Sequence, residues 1–282
     1  MNKEKLKVES QYLMPKKLIT RLSGFMMSAR MGKATTYMIK KFAKHYNINI
    51  SEAEKPLEDY KTFNEFFARE LKKNARPLDT GEKSAVFPAD GTVSELGNIK
   101  DDLLIQAKNH YYTTESLLAD EDDAKTFENG KFITIYLSPK DYHRVHIPLA
   151  GRLLKMTYVP GEAFSVNPNS AEYIPELFAR NERVVSIFET SVGKMAVVMV
   201  GATIVRSIST AWAGIVAPSA WNEPATFTYD EQEISFSKGA EIGKFMMGST
   251  VICLFEKDAV KFDENLCSGS TTVVRAKMAE TK

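Results

Sequence analysis

Apolar positions fall into two regimes along the chain. Up to about residue 76 they recur at helical spacing. Leu18, Leu22, Phe25, Met26 and Ala29 form one stripe, with Lys16, Lys17 and Arg21 beside it and Gly24 and Gly32 as soft spots. Met38, Ile39, Phe42 and Tyr46 form a second, opposite Lys40, Lys41 and Lys44. A third helix is predicted over Phe63–Lys73, opened by the capping-box pair Thr62 and Glu65. Its face is Phe63, Phe66, Phe67 and Leu71, and Asn74-Ala75-Arg76-Pro77 stops it. Beyond Pro77 the pattern shortens to strand-like runs: Phe132–Leu137, Leu153–Val159, Val184–Glu189, Met195–Val200, Glu233–Phe236 and Val251–Phe255. Short helices are predicted at Thr114–Ala119 and Ser170–Phe178. No regular alternation of strand and helix runs through this part, which excludes a doubly wound parallel sheet. The pattern predicts an α+β protein. A helical N-terminal region, 1–76, precedes a β-rich, mostly antiparallel domain, 77–282.

Composition narrows the class. The chain has 282 residues, 44% hydrophobic and 26% charged, enough for a large core and unlike a disordered or fibrous chain. Two cysteines, Cys253 and Cys267, make no disulfide framework and suit a reducing compartment. The longest apolar stretch, about Met195–Val205, falls short of the ~20 residues of a spanning helix. The opening Met-Asn-Lys-Glu-Lys-Leu-Lys lacks the apolar core of a secretory signal. The chain therefore reads as neither spanning nor exported.

Charge changes the picture more. The formal net charge is +1, yet residues 1–50 carry eleven basic residues against two acidic ones. A head of +9 sits on a body of −8. Basic residues beside a Met- and Phe-rich stripe suit an anionic bilayer surface. Packing on the body, with the lysines as a solvated face, is the plainer alternative. No motif supports nucleic-acid binding.

Four histidines are present: His45, His110, His143 and His146. The last two sit in Asp141-Tyr142-His143-Arg144-Val145-His146-Ile147-Pro148, which reads as extended between Pro139 and Pro148. In an extended chain, positions i and i+3 face opposite ways, so two separate jobs fit better than one shared metal. No Cys/His cluster completes a metal site, and none is expected. Asp90-Gly91 between apolar runs reads first as a hairpin turn. Gly248-Ser249-Thr250 entering a strand reads alone as a turn, and matches neither Gly-x-Ser-x-Gly nor a phosphate-binding loop. Together, an Asp, a His and a Ser make an activated nucleophile, the His taking the hydroxyl proton and the Asp orienting the ring. Gly248 leaves its own carbonyl open to attack by Ser249.

These residues resemble the phosphatidylserine decarboxylases in their bacterial, membrane-associated form. The likeness is carried by Phe63-Asn64-Glu65-Phe66-Phe67, Ala75-Arg76-Pro77 and Phe87-Pro88-Ala89-Asp90-Gly91. It continues through Tyr136–Pro148, Pro160–Asn167 and Gly243–Thr250, in family order, with Met247 where Leu or Phe is usual. The resemblance implies a proenzyme that cuts itself between Gly248 and Ser249. Asp90 orients His146, His146 deprotonates Ser249, and an ester forms and eliminates. The small chain then begins with a pyruvoyl group made from Ser249, and the two chains stay associated. The resemblance further implies that this cofactor forms a Schiff base with phosphatidylserine, which loses CO2 to give phosphatidylethanolamine, with His143 serving that second stage. It also implies a homodimer, bound peripherally at the cytoplasmic face of the cell membrane, with no nucleic acid partner. The main rival is a membrane-associated serine hydrolase using Asp90, His146 and Ser249 without self-cleavage. A pyruvoyl decarboxylase of a soluble amine and a catalytically dead membrane-binding protein are weaker rivals, disfavoured by the basic head and by the intact site residues.

Overall fold

The computed structural model describes residues 3–13, 23–107, 110–202, 207–217, 221–246 and 249–282. Leu18 and Leu22 of the first predicted stripe, its cations Lys16, Lys17 and Arg21, and Gly248 with Met247 lie outside the described residues. The N-terminal part is helical: α1 (Lys3–Leu13), α2 (described over 23–28), α3 (Lys33–His45) and α4 (Phe63–Phe67).

α4 is shorter than its apolar spacing predicts. Thr62 caps it as expected, its hydroxyl accepting the Glu65 N–H at 3.1 Å. The Glu65 carboxylate returns to the N–H of Lys61, at 2.8 Å. After Ala68 the backbone leaves the helix to pair with an earlier segment: the Glu54 N–H donates to the Glu70 carbonyl and the Lys72 N–H to the Glu52 carbonyl. That pairing, with Leu71 bridged to Ala53, outcompetes two more helical turns. α3 and α4 bury a small core of their own, formed by Ile39, Ala43, Ile48, Leu57, Tyr60, Phe63, Phe66 and Phe67.

The body is built on one antiparallel sheet. Its path runs β12 (Ala225–Thr228), β7 (Gly151–Val159), β8 (Arg183–Thr190), β9 (Gly193–Val200), β15 (Ser249–Phe255), β5 (Lys131–Leu137), β2 (Gly91–Asn98) and β17 (Thr271–Thr272). β13 (Ser235–Phe236) also pairs with β7. A second sheet orders β11 (Gly214–Ala217), β10 (Ile208–Thr210), β14 (Glu241–Phe245) and β6 (Arg144–His146). A third orders β1 (Ser84–Val86), β18 (Lys277–Thr281) and β16 (Val260–Phe262). β3 (Leu103–Ala107) and β4 (His110–Thr113) form a separate hairpin.

The central strands are buried on both faces, which is why they read as unbroken apolar runs. In β15, Val251, Cys253 and Phe255 enter the core that also holds residues of the two smaller sheets. Ile252 and Leu254 enter a core shared with α5 (Thr114–Leu118), α7 (Pro168–Tyr173) and α8 (Leu177–Arg180). α6 (Glu121–Thr126) follows α5. The predicted helix Ser170–Phe178 is thus two helices. Pro175 forces Ile174 to extended geometry (ψ 111°) and breaks the run. Asp90-Gly91 is not a hairpin turn, because β1 and β2 belong to different sheets. Gly91 lies so close to β5 that a Cβ there would run into the Tyr136 carbonyl.

α1 packs on the body instead of standing free. Val8 is buried, Gln11 accepts the Ser165 N–H at 2.8 Å, and the Tyr12 ring packs at a tilt on Phe164, 5.0 Å between centroids. The basic face of α3 is partly engaged as well, with Lys40 paired to Glu58 at 2.8 Å. The apolar residues left in solvent on this head include Phe25 (79% exposed), Met26, Met31 and Tyr37. None of the described helices is long and apolar enough to cross a membrane.

Candidate active site

Ser249 is the first residue of β15 and lies opposite Leu137, the last of β5. It is fully buried, and its hydroxyl has no hydrogen-bond partner among the described residues. An orphaned buried hydroxyl costs about 1–3 kcal/mol and calls for a reason. The neighbouring Thr250 hydroxyl is orphaned too.

His143 reaches the same strand end. Ser138, the residue after Leu137, accepts a hydrogen bond from His143 Nε2 at 3.1 Å. Asp141 fixes that turn by accepting both the N–H and the hydroxyl of Ser138, each at 2.7 Å. The His143 carbonyl accepts the Phe245 N–H at 2.9 Å, so the segment also flanks the end of β14 that leads to Ser249. The ring is sandwiched in the interior, stacked on Phe67 at 4.1 Å. With Nε2 donating, Nδ1 is the lone-pair nitrogen, and it has no partner among the described residues. Burial, aided by the charge of Arg69, pushes its pKa down to about 3, so the ring is neutral at pH 7.

Arg69 is itself buried. Its Nη2 donates to the Lys140 carbonyl at 3.2 Å, while Nε and Nη1 have no partner among the described residues. Its guanidinium lies over the Phe66 ring at 5.2 Å, and desolvation lowers its pKa.

His146 has different company. Its Nδ1 donates to the Gly239 carbonyl at 2.8 Å, and Nε2 lies 3.5 Å from the Tyr142 hydroxyl. This leaves the Nε2 lone pair as the basic site, the tautomer a general base requires. Burial lowers the pKa of this ring as well. Among the described residues the two histidines share no hydrogen-bond partner.

Asp90 does not hydrogen-bond to His146 in this structure. Its carboxylate takes Arg76 in a fork, with Nε at 3.0 and 2.9 Å and Nη2 at 2.6 Å, and accepts the Val274 N–H at 2.8 Å. Arg76 also reaches Glu52 at 3.1 Å. The charge-assisted fork holds the carboxylate on Arg76, and the Gly239 carbonyl satisfies the His146 donor instead. Asp90 and His146 nevertheless adjoin one shallow cleft. Arg76, Tyr142, His146 and Val274 line it, and two of these hold or border Asp90.

The structure therefore brings Ser249 and His143 to one strand end and puts Asp90 with His146 near a cleft elsewhere. Phe67, Arg69, Arg76 and Asp141 were not singled out for this chemistry by spacing or composition. Arg69 carried the one available signal, a cation placed between Phe66, Phe67 and Leu71. Among the described residues no three His, Cys, Asp or Glu side chains group as metal ligands do.

A larger cleft of about 320 Å³ opens between head and body. Ser28, Lys55, Tyr60 and Glu70 line it from the head, and Arg144, Ile215, Lys244 and Met246 from the body.

Comparison with known proteins gives the family. A family model described as phosphatidylserine decarboxylase matches residues 63–281, and a second, described as PSD, matches residues 6–47. A phosphatidylserine decarboxylase proenzyme of Psychromonas ingrahamii is 51% identical over 271 residues, covering 95% of each chain. One of Actinobacillus pleuropneumoniae serotype 3 is 50% identical over 284 residues, 99% of this chain and 96% of its own. One of Shewanella amazonensis is 54% identical over 262 residues, 91% of each.

Proposed function

The chain belongs to the phosphatidylserine decarboxylase family, and from that premise we propose that it is a proenzyme, cut between Gly248 and Ser249, that converts phosphatidylserine to phosphatidylethanolamine and CO2. The observation that carries this reading is the place of Ser249. Ser249 is fully buried, pairs with β5 and is followed by Thr250, which pairs with both β5 and β9, so the residue from which the small chain starts is held at the centre of the main sheet.

The residues fit a small group built from Ser249. Its side-chain oxygen is buried and unpartnered, and His143, whose Nδ1 is also unpartnered, is tied to Ser138 next to the strand residue that Ser249 faces. Made from Ser249, a pyruvoyl group supplies an electrophilic carbonyl for the substrate amine and a sink for the electrons left when CO2 departs. The chain's own groups do the rest. In the processing stage the family likeness assigns the Ser249 proton to His146. That ring is held by Gly239 with Nε2 facing the Tyr142 hydroxyl, and it must turn from that contact to reach Ser249, since the two form no hydrogen bond among the described residues. Asp90 supports it through the shared cleft, neutralising Arg76 and holding the Val274 backbone. In the decarboxylation stage His143 serves the reacting carbon through Nδ1, its orientation fixed by Ser138 and Phe67.

A serine hydrolase fits less well. A hydrolase nucleophile sits exposed on a sharp turn, whereas Ser249 is fully buried at the start of a central strand. The basic head of +9 and the exposed Phe25, Met26 and Tyr37 support a peripheral position on an anionic membrane, at its cytoplasmic face. We place the division between membrane-facing region and catalytic domain at residues 76 and 77. The test is phosphatidylethanolamine formation from phosphatidylserine in mixed micelles. Wild-type protein should form it, and His146→Ala should remain uncut and inactive. An uncut His146→Ala protein with full decarboxylase activity would overturn the reading.

A further inference from the structure

The cleft between head and body has a composition that the family reading does not explain. Its cations are Lys55, Arg144 and Lys244, and its acids are Glu65 and Glu70. Arg144 is committed to Glu70 at 3.1 Å and Glu241 at 2.9 Å, and Glu65 to the Lys61 N–H. Lys55 and Lys244 form no ion pair among the described residues. Lys244 lies on β14, directly opposite Arg144. Met246, the last described residue before Ser249, lies in the same cleft wall.

Exposed apolar residues stand close to the cleft in the chain on the head side and line it on the body side. On the head side Ser28 lines it, from the helical stretch that also presents Phe25 and Met26. On the body side stands the β10–β11 hairpin. Its tip, Ala211-Trp212-Ala213-Gly214-Ile215, carries no charge. Trp212 turns inward onto Phe188 and Phe236, at 5.9 and 5.7 Å. Ile215 points the other way and is 69% exposed. Gly214 (φ +67°) makes the turn, with nothing near it. Ile215 thus stands bare at an uncharged tip and lines the cleft that holds Lys55 and Lys244, the combination of apolar and cationic groups that suits a lipid surface.

We propose that this hairpin is a second membrane contact, and that the cleft between it and the head is where a lipid headgroup enters, its phosphodiester held between Lys55 and Lys244. The inference rests on the phosphatidylserine reading for the lipid's identity. The surface it names is independent of the turnover. The molecule straddles the cleft, with Phe25 and Met26 dipping into the bilayer on one side and Ile215 on the other. The anionic phosphate then meets the only two cations of the cleft left without a carboxylate among the described residues. The volume of about 320 Å³ suits a headgroup and not an acyl chain, which stays in the bilayer.

The test uses the full processed chain and four variants: Ile215→Glu, Lys244→Gln, Lys55→Gln, and Leu103→Glu as an exposed apolar control away from the cleft. Cosedimentation with vesicles of phosphatidylcholine and phosphatidylglycerol, which are not substrates, should show Ile215→Glu binding about tenfold more weakly and Leu103→Glu unchanged. In phosphatidylserine micelles, Lys244→Gln and Lys55→Gln should each raise KM about fivefold with kcat unchanged. They should weaken inhibition by soluble glycerophosphoserine to the same extent. Mass measurement of the two chains reports that a variant has folded and processed, and Ile215→Ser and Lys244→Met replace any that does not. Wild-type vesicle binding by the Ile215 variants, or unchanged KM and inhibition in the lysine variants, would overturn the proposal. If wild type binds vesicles through Ile215 yet forms no phosphatidylethanolamine, the family reading fails and the docking surface stands.

Discussion

A histidine held neutral in the interior has consequences that can be measured. His143 titrates near 3 in the folded protein and near 6.5 when exposed. Between those values the unfolded chain binds the extra proton, so stability falls as pH drops below about 6.5. From pH 7 to pH 5 this one group removes about 2 kcal/mol, and the lowered pKa of His146 acts in the same direction. Urea unfolding at the two pH values should show the loss, and His143→Gln should reduce it. A pH-independent midpoint would mean that neither ring is buried neutral. The same substitution separates the two stages of chemistry. His143→Gln should still be cut after Gly248, with decarboxylation reduced about 10²–10⁴-fold. The residue types of this site were legible in the sequence, since Asp90, His143, His146 and Ser249 all stand in distinctive segments. Their partners were not. Whether Asp90 meets His146 or Arg76 depends on where the turn at Arg76 lands, and no local pattern encodes that landing.

Elements were legible where a run was buried on both faces or capped. β5, β7, β8, β9 and β15 formed where apolar runs predicted them, because each contributes side chains to two cores. Misreadings came where tertiary pairing took over. α4 stopped at Phe67 because the next residues pair with 52–54, and Asp90-Gly91 joined two sheets instead of turning back within one. In the head the two readings left open by the sequence both apply. Its apolar stripes serve two uses: Ile39 and Ala43 pack on Phe63 and Phe66, while Phe25 and Met26 stay in solvent. Removing residues 1–50 would therefore strip both part of the inner core of the head and the docked α1, and should leave an aggregating protein. Ile39→Ala should cost about 2–5 kcal/mol in urea unfolding. Phe25→Ser with Met26→Ser should leave stability within about 0.5 kcal/mol of wild type and weaken vesicle binding. Equal losses of stability in both variants would contradict this division of the head.

At the scale of the whole molecule, the cut separates chains that the fold has already interlocked. β15 lies between β5 and β9 at the centre of the main sheet, β17 pairs with β2, and β18 pairs with β1. The Val274 N–H holds Asp90, and the Thr272 hydroxyl holds the Ala89 carbonyl at 2.9 Å, both across the future chain boundary. The small chain, 249–282, thus supplies a central strand and part of the wall beside Asp90, and it should dissociate only on global unfolding. The most direct measurement is the intact mass of the purified protein beside Ser249→Ala. The account predicts two chains in the wild type, split after Gly248 with the small chain blocked by a pyruvoyl group, and one uncut chain in the variant. A single full-length wild-type chain that nonetheless decarboxylates phosphatidylserine would contradict it.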